Sequence, residues 1–305
     1  NGIWITNHGG KIFSLENIKT IIKICMKVSN MKVLVTGVKG QLGFDVVRVL
    51  NEYDIAHLGI DKDELDITNE SAVLDCIRAY HPTHIIHCAA YTAVDKAEED
   101  QNTVYKVNVL GTEYIAKAAK AIDAQMVYIS TDYVFDGRGE KPFEVTDTPN
   151  PIGYYGVTKY QGEQKVQELL TDYYIVRISW VFGINGNNFI KTMLRLAETK
   201  TELNVVSDQI GSPTYTYDLA YYIHDLIKTN TYGIYHATNE GYVSWYEFAK
   251  EIFKQAGIDI KVNPIFSKDY PTKAVRPLNS RMLKNGTKMR AWQEALIAYM
   301  QVLKK

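Results

Sequence analysis

Residues 32–43 read Lys32-Val33-Leu34-Val35-Thr36-Gly37-Val38-Lys39-Gly40-Gln41-Leu42-Gly43, and this stretch decides the fold. "KVLVT" is a short β-branched run of the kind that forms a buried strand. It runs straight into glycines at 37, 40 and 43, spaced G-x-x-G-x-x-G. Glycine reaches positive φ and admits close backbone approach, and the helix that follows presents unpaired N–H groups suited to a pyrophosphate. Strand, turn and helix stand in the order that dinucleotide binding requires. Gly37, Gly40, Gln41, Leu42 and Gly43 are therefore candidate cofactor-binding residues.

Outward from this turn the pattern repeats. Apolar runs at 57–60 (HLGI), 84–88 (HIIHC), 125–130 (QMVYIS) and 173–178 (YYIVRI) alternate with helical segments near 41–51, 71–80, 101–122 and 156–170. Such alternation predicts an α/β protein with a Rossmann-type, doubly wound parallel sheet. Residues 31–178 and 214–238 are expected to form the dinucleotide-binding domain, the chain returning to the sheet at "GIYHAT" (233–238). A smaller C-terminal substrate domain is expected from 179–213 and 239–305. Asp61 follows Gly43 and closes the second strand, where a carboxylate accepts hydrogen bonds from the adenosine ribose. Lys62 beside it would tolerate a 2′-phosphate, so NADPH and NADH both remain open. Cys88-Ala89-Ala90-Tyr91-Thr92 follows the third strand at a carboxyl end. The small Ala89 and Ala90 would let a cofactor lie close to the backbone, and Thr92 stands beside them.

Composition removes other classes. The chain has 305 residues, 46% apolar and 23% charged, with a formal net charge of −1. That balance gives no global electrostatic case for nucleic acid or for a membrane surface. No apolar run reaches the roughly 20 residues of a membrane span. Cys25, Cys76 and Cys88 are widely spaced and form no metal-type pattern, which points to a reduced, cytoplasmic setting. No carboxylate or histidine cluster compels a metal. Residues 1–30 read as an extension ahead of Met31, in which Ser14 could cap a short helix carrying Leu15, Ile18, Ile21 and Ile22. Whether the protein is a homodimer is not readable.

"ISTDYVFDG" (129–137) ends the fourth strand and brings Ser130, Thr131 and Asp132 to the same edge of the sheet. Further on stands "IGYYGVTK" (152–159). Tyr155 and Lys159 are four residues apart, which stacks them on one helix face. Tyr154 pairs by the same rule with Thr158 and points away. Tyr155 is thus the candidate proton donor to a carbonyl oxygen. The Lys159 ammonium is expected to lower its pKa from the ordinary value near 10, and Thr131 to hydrogen-bond the substrate oxygen. Thr131, Tyr155 and Lys159 form the candidate catalytic set, with Tyr155 and Lys159 also touching the cofactor.

The glycine spacing resembles the extended short-chain dehydrogenase/reductase group. More specifically, "TGVKGQLG" (36–43), "CAAYTAVDKAE" (88–98), "STDYVFDG" (130–137), "YYGVTKYQGE" (154–163), "RISWVFG" (177–183), "VSDQIGSPT" (206–214) and "RPLNSR" (276–281) resemble dTDP-4-dehydrorhamnose reductases, in order, from Met31 to about Arg281. The resemblance implies NAD(P)H-dependent reduction of the 4-keto group of dTDP-4-dehydro-L-rhamnose to dTDP-L-rhamnose. It implies that Asp66 and Ile67 cover the adenine and that Asn108, counted with the cofactor-binding residues, supports the active-site strand from its helix. It also implies that Val94, Asp132 and Trp180 contact the sugar, with Asn187, Asn188 and Arg276 as further substrate candidates. An indole face suits the apolar face of a pyranose, and a guanidinium fork suits a diphosphate. The segment before the last helix, about 291–303, is short for this family, so that helix is expected to dock differently. Two other readings stand beside this one: a non-catalytic cofactor-binding subunit similar to the regulatory subunit of methionine adenosyltransferase, and another nucleotide-sugar reductase or epimerase.

Overall fold

Val33 and Val35 enter the hydrophobic core on one face of a central sheet and Leu34 the core on the other, and all three are fully buried. This is why "KVLVT" carries no alternating polar residue: a strand covered on both faces is apolar throughout. The computed structural model describes residues 31–303, together with the short antiparallel pair Ile5–Thr6 and Ile12–Phe13. The helix expected after Ser14 lies outside the described residues.

β1 (Lys32–Thr36) pairs in parallel with β2 (Ala56–Ile60) on one side and β3 (His84–His87) on the other. β4 (Gln125–Thr131), β5 (Tyr173–Ile178) and β6 (Gly233–His236) continue the sheet, all parallel, in the order β2-β1-β3-β4-β5-β6. The chain leaves β1 toward β2 and then crosses back to β3. The carboxyl ends of β1 and β3 therefore flank the topological switch point, the place where open α/β sheets bind ligands.

Two helices, α1 (Gln41–Glu52) and later α6 (Thr216–Leu226), cover one face through Val46, Val49, Leu50, Leu219 and Ile223. The other face is covered by α2 (Glu70–Tyr80), α3 (101–121) and α4 (Tyr154–Leu169), through Ile77, Ile115, Ala116, Ala119 and Val166. Each fully buried Val, Leu or Ile contributes about 1.5–3 kcal/mol relative to exposure. The expected single helix near 101–122 is interrupted: α-helix over Gln101–Tyr105 and Thr112–Ala121 flanks a π-helical stretch at Lys106–Gly111. The helix expected from 156 begins two residues earlier, which puts Tyr154 and Tyr155 in its first turn.

A third core lies beyond the sheet. Phe182 meets Ile190 and Met193 of α5 (Phe189–Ala197), Phe248 and Ile252 of α7 (Trp245–Ala256), and Trp292, Leu296 and Tyr299 of α8 (Trp292–Leu303). The parallel pair Glu202–Val206 and Lys261–Ile265 adds Val205 to this core. α7 starts at a capping box between Ser244 and Glu247 and stops at Gly257, whose φ is +71°, a start and a stop written into the local sequence. α8 docks through Trp292, Ala295, Leu296 and Tyr299, all buried, the spacing of one helix face. Among the described residues no helix is long and apolar enough to cross a membrane.

Candidate active site

At the switch point Gly37 takes a φ of +72°, and a Cβ there would come within 2.7 Å of the Ala89 nitrogen. A Cβ on Gly43 would come within 2.3 Å of the Gly37 carbonyl oxygen. These glycines let the turn lie against β3 and start α1 with its amides bare: the N-cap Gly40 offers no side-chain hydrogen bond. A dinucleotide pyrophosphate fits such a cradle, which any side chain would fill. The Gln41 side chain serves a different purpose from its backbone. Its Oε1 accepts from the Gly183 N–H at 2.9 Å and from Asn188 Nδ2 at 3.2 Å, joining the sheet to the third core.

The Asp61 carboxylate stands at the end of β2 and accepts from the Lys39 and Lys62 backbone N–H groups at 2.9 and 2.8 Å. Asp66 accepts from both the N–H and the hydroxyl of Thr68, which turns the chain so that Ile67 packs on Gly111. Gly37, Asp61, Asp66, Ile67, Ala89, Ala90 and Thr92 all line one cleft of about 770 Å³. Val94, Thr131, Asp132, Tyr155, Lys159, Trp180 and Asn187 line the same cleft.

Three expected residues are not among its lining. Asn108, 1% exposed, stands one layer behind. Its Oδ1 accepts from the Tyr91 N–H at 2.8 Å, and its Nδ2 donates to the Tyr91 carbonyl and to Thr158 Oγ1. The π-helical stretch carries it inward, and it holds the wall rather than the cofactor. Asn188 caps α5 by accepting from the Lys191 N–H at 3.0 Å and donates to the Gly183 carbonyl and Tyr299, so its polar atoms are spent within the protein. Arg276 sits at the rim, 2.6 Å from Asp95 and 3.2 Å from the Tyr133 hydroxyl.

The start of α4 is pressed onto the end of β4. A Cβ on Gly156 would fall 2.2 Å from the Tyr133 carbonyl oxygen, and one on Gly162 would fall 2.2 Å from the Tyr128 hydroxyl. With both absent, Tyr155 and Lys159 reach the strand edge where Thr131 stands. Lys159 Nζ lies 4.1 Å above the Tyr128 ring, whose hydroxyl donates to the Lys159 carbonyl. Tyr154 does not line the cleft; its N–H is held by Glu98 Oε1 at 2.8 Å. Thr131 Oγ1 donates to Asp132 Oδ1 at 3.0 Å and accepts from the Tyr133 N–H.

Burial dominates the electrostatics. It pulls Lys159 down from 10.5 to about 7, with Glu163 opposing, and pushes Asp132 up to about 6. It also pushes the Tyr155 phenol above its usual 10, reinforced by the Asp132 carboxylate. The expected lowering of Tyr155 by Lys159 is thus reversed among the protein groups themselves. Desolvation and a neighbouring carboxylate disfavour phenolate more than the Thr131 hydroxyl favours it, and the phenol is held protonated, the form an acid needs.

Trp180 follows β5 with a φ of +49°, a left-handed position costly for a bulky residue, of order 1–3 kcal/mol. Its indole stacks on Trp245 at 3.6 Å with 10° between planes, and Gly211 leaves room for it. The stacked face is therefore core, Gly211 lies against part of the rest, and the indole also borders the cleft. Tyr133, which the sequence did not single out, lines the cleft with Ser130, which the sequence placed at this sheet edge without a role. The only signal for them was their place in "ISTDYVFDG". The buried Ser130 hydroxyl has no hydrogen-bond partner among the described residues.

The RmlD substrate binding domain family matches residues 31–305. The chain is 41% identical over 275 residues to the spore coat polysaccharide biosynthesis protein SpsK of Bacillus subtilis, covering 88% of this chain and 97% of that one. It is 43% identical over 265 residues to a dTDP-4-dehydrorhamnose reductase of Aggregatibacter actinomycetemcomitans, covering 82% and 89%. A dTDP-4-dehydrorhamnose reductase of Bacillus anthracis, solved in complex with NADP, superposes with a TM-score of 0.87 at 43% identity, covering 90% of this chain and 99% of that one.

Proposed function

The chain belongs to the dTDP-4-dehydrorhamnose reductase family, and we propose that it reduces the 4-keto group of dTDP-4-dehydro-L-rhamnose to give dTDP-L-rhamnose, with NADPH or NADH as reductant. The observation that carries this reading is the meeting of Thr131, Tyr155 and Lys159 in the cleft that the glycine turn opens. When bound, the reduced nicotinamide supplies a hydride to the carbonyl carbon. Tyr155 gives its phenolic proton to the carbonyl oxygen, and the Thr131 hydroxyl, turning its single proton from Asp132 Oδ1 to the substrate, steadies that oxygen. Lys159, whose pKa of about 7 suits proton exchange near neutrality, holds the nicotinamide ribose and helps return a proton to Tyr155.

Gly37, Gly40, Gln41, Leu42 and Gly43 would hold the cofactor's pyrophosphate, Asp61 its ribose, Asp66 and Ile67 its adenine, and Ala89, Ala90 and Thr92 would border it. Val94, Asp132, Trp180 and Asn187 receive the sugar and Arg276 its diphosphate. We assign 31–178 and 214–238 to the cofactor domain and 179–213 and 239–305 to the substrate domain. We place the reaction in the cytoplasm, consistent with the free thiols of Cys76 and Cys88. The test is the loss of reduced-nicotinamide absorbance with dTDP-4-dehydro-L-rhamnose and each cofactor in turn. Decay with at least one supports the reading; a folded protein that binds cofactor but oxidises neither contradicts it.

A further inference from the structure

Asp95 lies beside Val94 on the single helical turn Val94–Ala97, next to the cleft but not among its lining. Its Oδ1 accepts from the Ala274 N–H at 3.1 Å, and its Oδ2 lies 2.6 Å from Arg276 Nη2. The other end of that guanidinium donates to the Tyr133 hydroxyl at 3.2 Å, and Tyr133 lines the cleft against Tyr155. Around Arg276 the chain has little regular structure, and Tyr270 and Val275 are exposed. Lys273, paired with Glu99, is the neighbouring anchor. Arg276 is set at the rim both by packing, with Ala274 buried before it and Pro277 lying against Gly137 after it, and by polar attachment, of which the Asp95 carboxylate supplies two contacts.

We propose that Asp95 is a positioning residue for capture of the nucleotide-sugar diphosphate: it orients the Arg276 guanidinium beside Tyr133 and holds the 274–276 backbone against the rim. The inference rests on the reading of the cleft as a dTDP-sugar site. A long arginine loses rotamer freedom when it grips a ligand, and a carboxylate that holds it beforehand removes part of that cost. Arg276 carries five N–H donors, so two donated bonds leave donors for phosphate oxygens. The pair is partly exposed, 29% at Arg276 and 41% at Asp95, so solvent screening keeps the effect modest, about fivefold in affinity.

The test uses the full chain with Asp95→Asn, Asp95→Glu, Arg276→Gln and the Asp95→Asn/Arg276→Gln double variant. Asparagine keeps an acceptor for Ala274 but loses the charge that holds Arg276. The expected result is a KM for dTDP-4-dehydro-L-rhamnose raised about fivefold in Asp95→Asn, with kcat within about twofold and NADPH affinity unchanged. Asp95→Glu should recover most of the loss, and the double variant should be no worse than Arg276→Gln alone. An unchanged KM in Asp95→Asn, or independent and multiplying losses in the double variant, overturns the proposal. Calorimetry with dTDP separates this from failure of the reaction assignment. If the unmutated protein turns over no ketosugar, that assignment falls, while weaker dTDP binding by Asp95→Asn still upholds the positioning role and equal binding overturns it.

Discussion

The Tyr155 ring stands edge-on to the Tyr133 ring, 5.6 Å between centroids and 76° between planes, and both line the cleft that Tyr154 does not. Two adjacent tyrosines are thereby made unequal. General acid catalysis is worth about 10²–10⁴ in rate, so Tyr155→Phe should lower kcat by at least about 100-fold while NADPH affinity, measured by fluorescence titration, stays within about twofold. Tyr154→Phe should keep most of its turnover. Equal losses in the two variants would contradict the assignment of Tyr155 as the proton donor.

Lys159 offers a test through pH. Its folded pKa lies near 7, below the 10.5 of the free group. The unfolded chain therefore binds the extra proton between these values, and folded stability rises with pH across that window. The penalty for burying the ammonium is absent above about 10.5, grows as pH falls toward 7, and levels off below. Lys159→Met should raise the Tm of the cofactor-free protein at pH 7, by on the order of 1–3 kcal/mol in stability, with the gain shrinking toward pH 10. Turnover should fall sharply. A gain that persists undiminished at high pH would count against this view of the lysine.

The glycine turn makes a steric prediction. The atom facing a Cβ at Gly43 is a backbone oxygen at 2.3 Å, which no rotamer change can move. Gly43→Ala should cost about 1–3 kcal/mol of stability and weaken NADPH binding at least about tenfold as the turn opens. Gly139→Ala is the control: nothing lies within 4 Å, though its φ is +73°. It should cost about 1 kcal/mol and leave cofactor affinity unchanged, as read by urea unfolding and titration.

Between α4 and the sheet, Glu163 of α4 and Arg177 of β5 form a two-pronged ion pair, 2.9 and 2.7 Å, both side chains fully buried. Removing one partner strands the other charge, at about 3–5 kcal/mol. Glu163→Gln should therefore shift the urea midpoint strongly downward. A loss under about 1 kcal/mol would show that the pair is not held as described.

Much of this was readable from short spacings. Gly37, Gly40 and Gly43 reveal their turn because the constraint is local, and Tyr155 and Lys159 reveal their shared face because a helix repeats every few residues. The alternation of apolar runs was enough for the parallel sheet. Other features depend on partners far along the chain. Asn108 was counted with the cofactor residues and read as a support for the active-site strand, but the partners it supports, Tyr91 and Thr158, lie elsewhere along the chain and could not be named from its own stretch. Asn188 looked like a substrate ligand until its partners Gly183 and Tyr299 came together. Arg276 meets Asp95 from a distant part of the chain. The direction of the Tyr155 shift depends on burial by the whole cleft, which no four-residue spacing encodes.

The most direct test of the central claim is to follow the hydride itself. NADPH carrying deuterium at both positions of nicotinamide C4 is incubated with the protein and dTDP-4-dehydro-L-rhamnose, and the product is examined by mass spectrometry and NMR. Our account predicts dTDP-L-rhamnose one mass unit heavier, with deuterium at sugar C4, and no such product from Tyr155→Phe. Cofactor that binds but leaves the sugar unlabelled, or label arriving as readily in Tyr155→Phe, would contradict it.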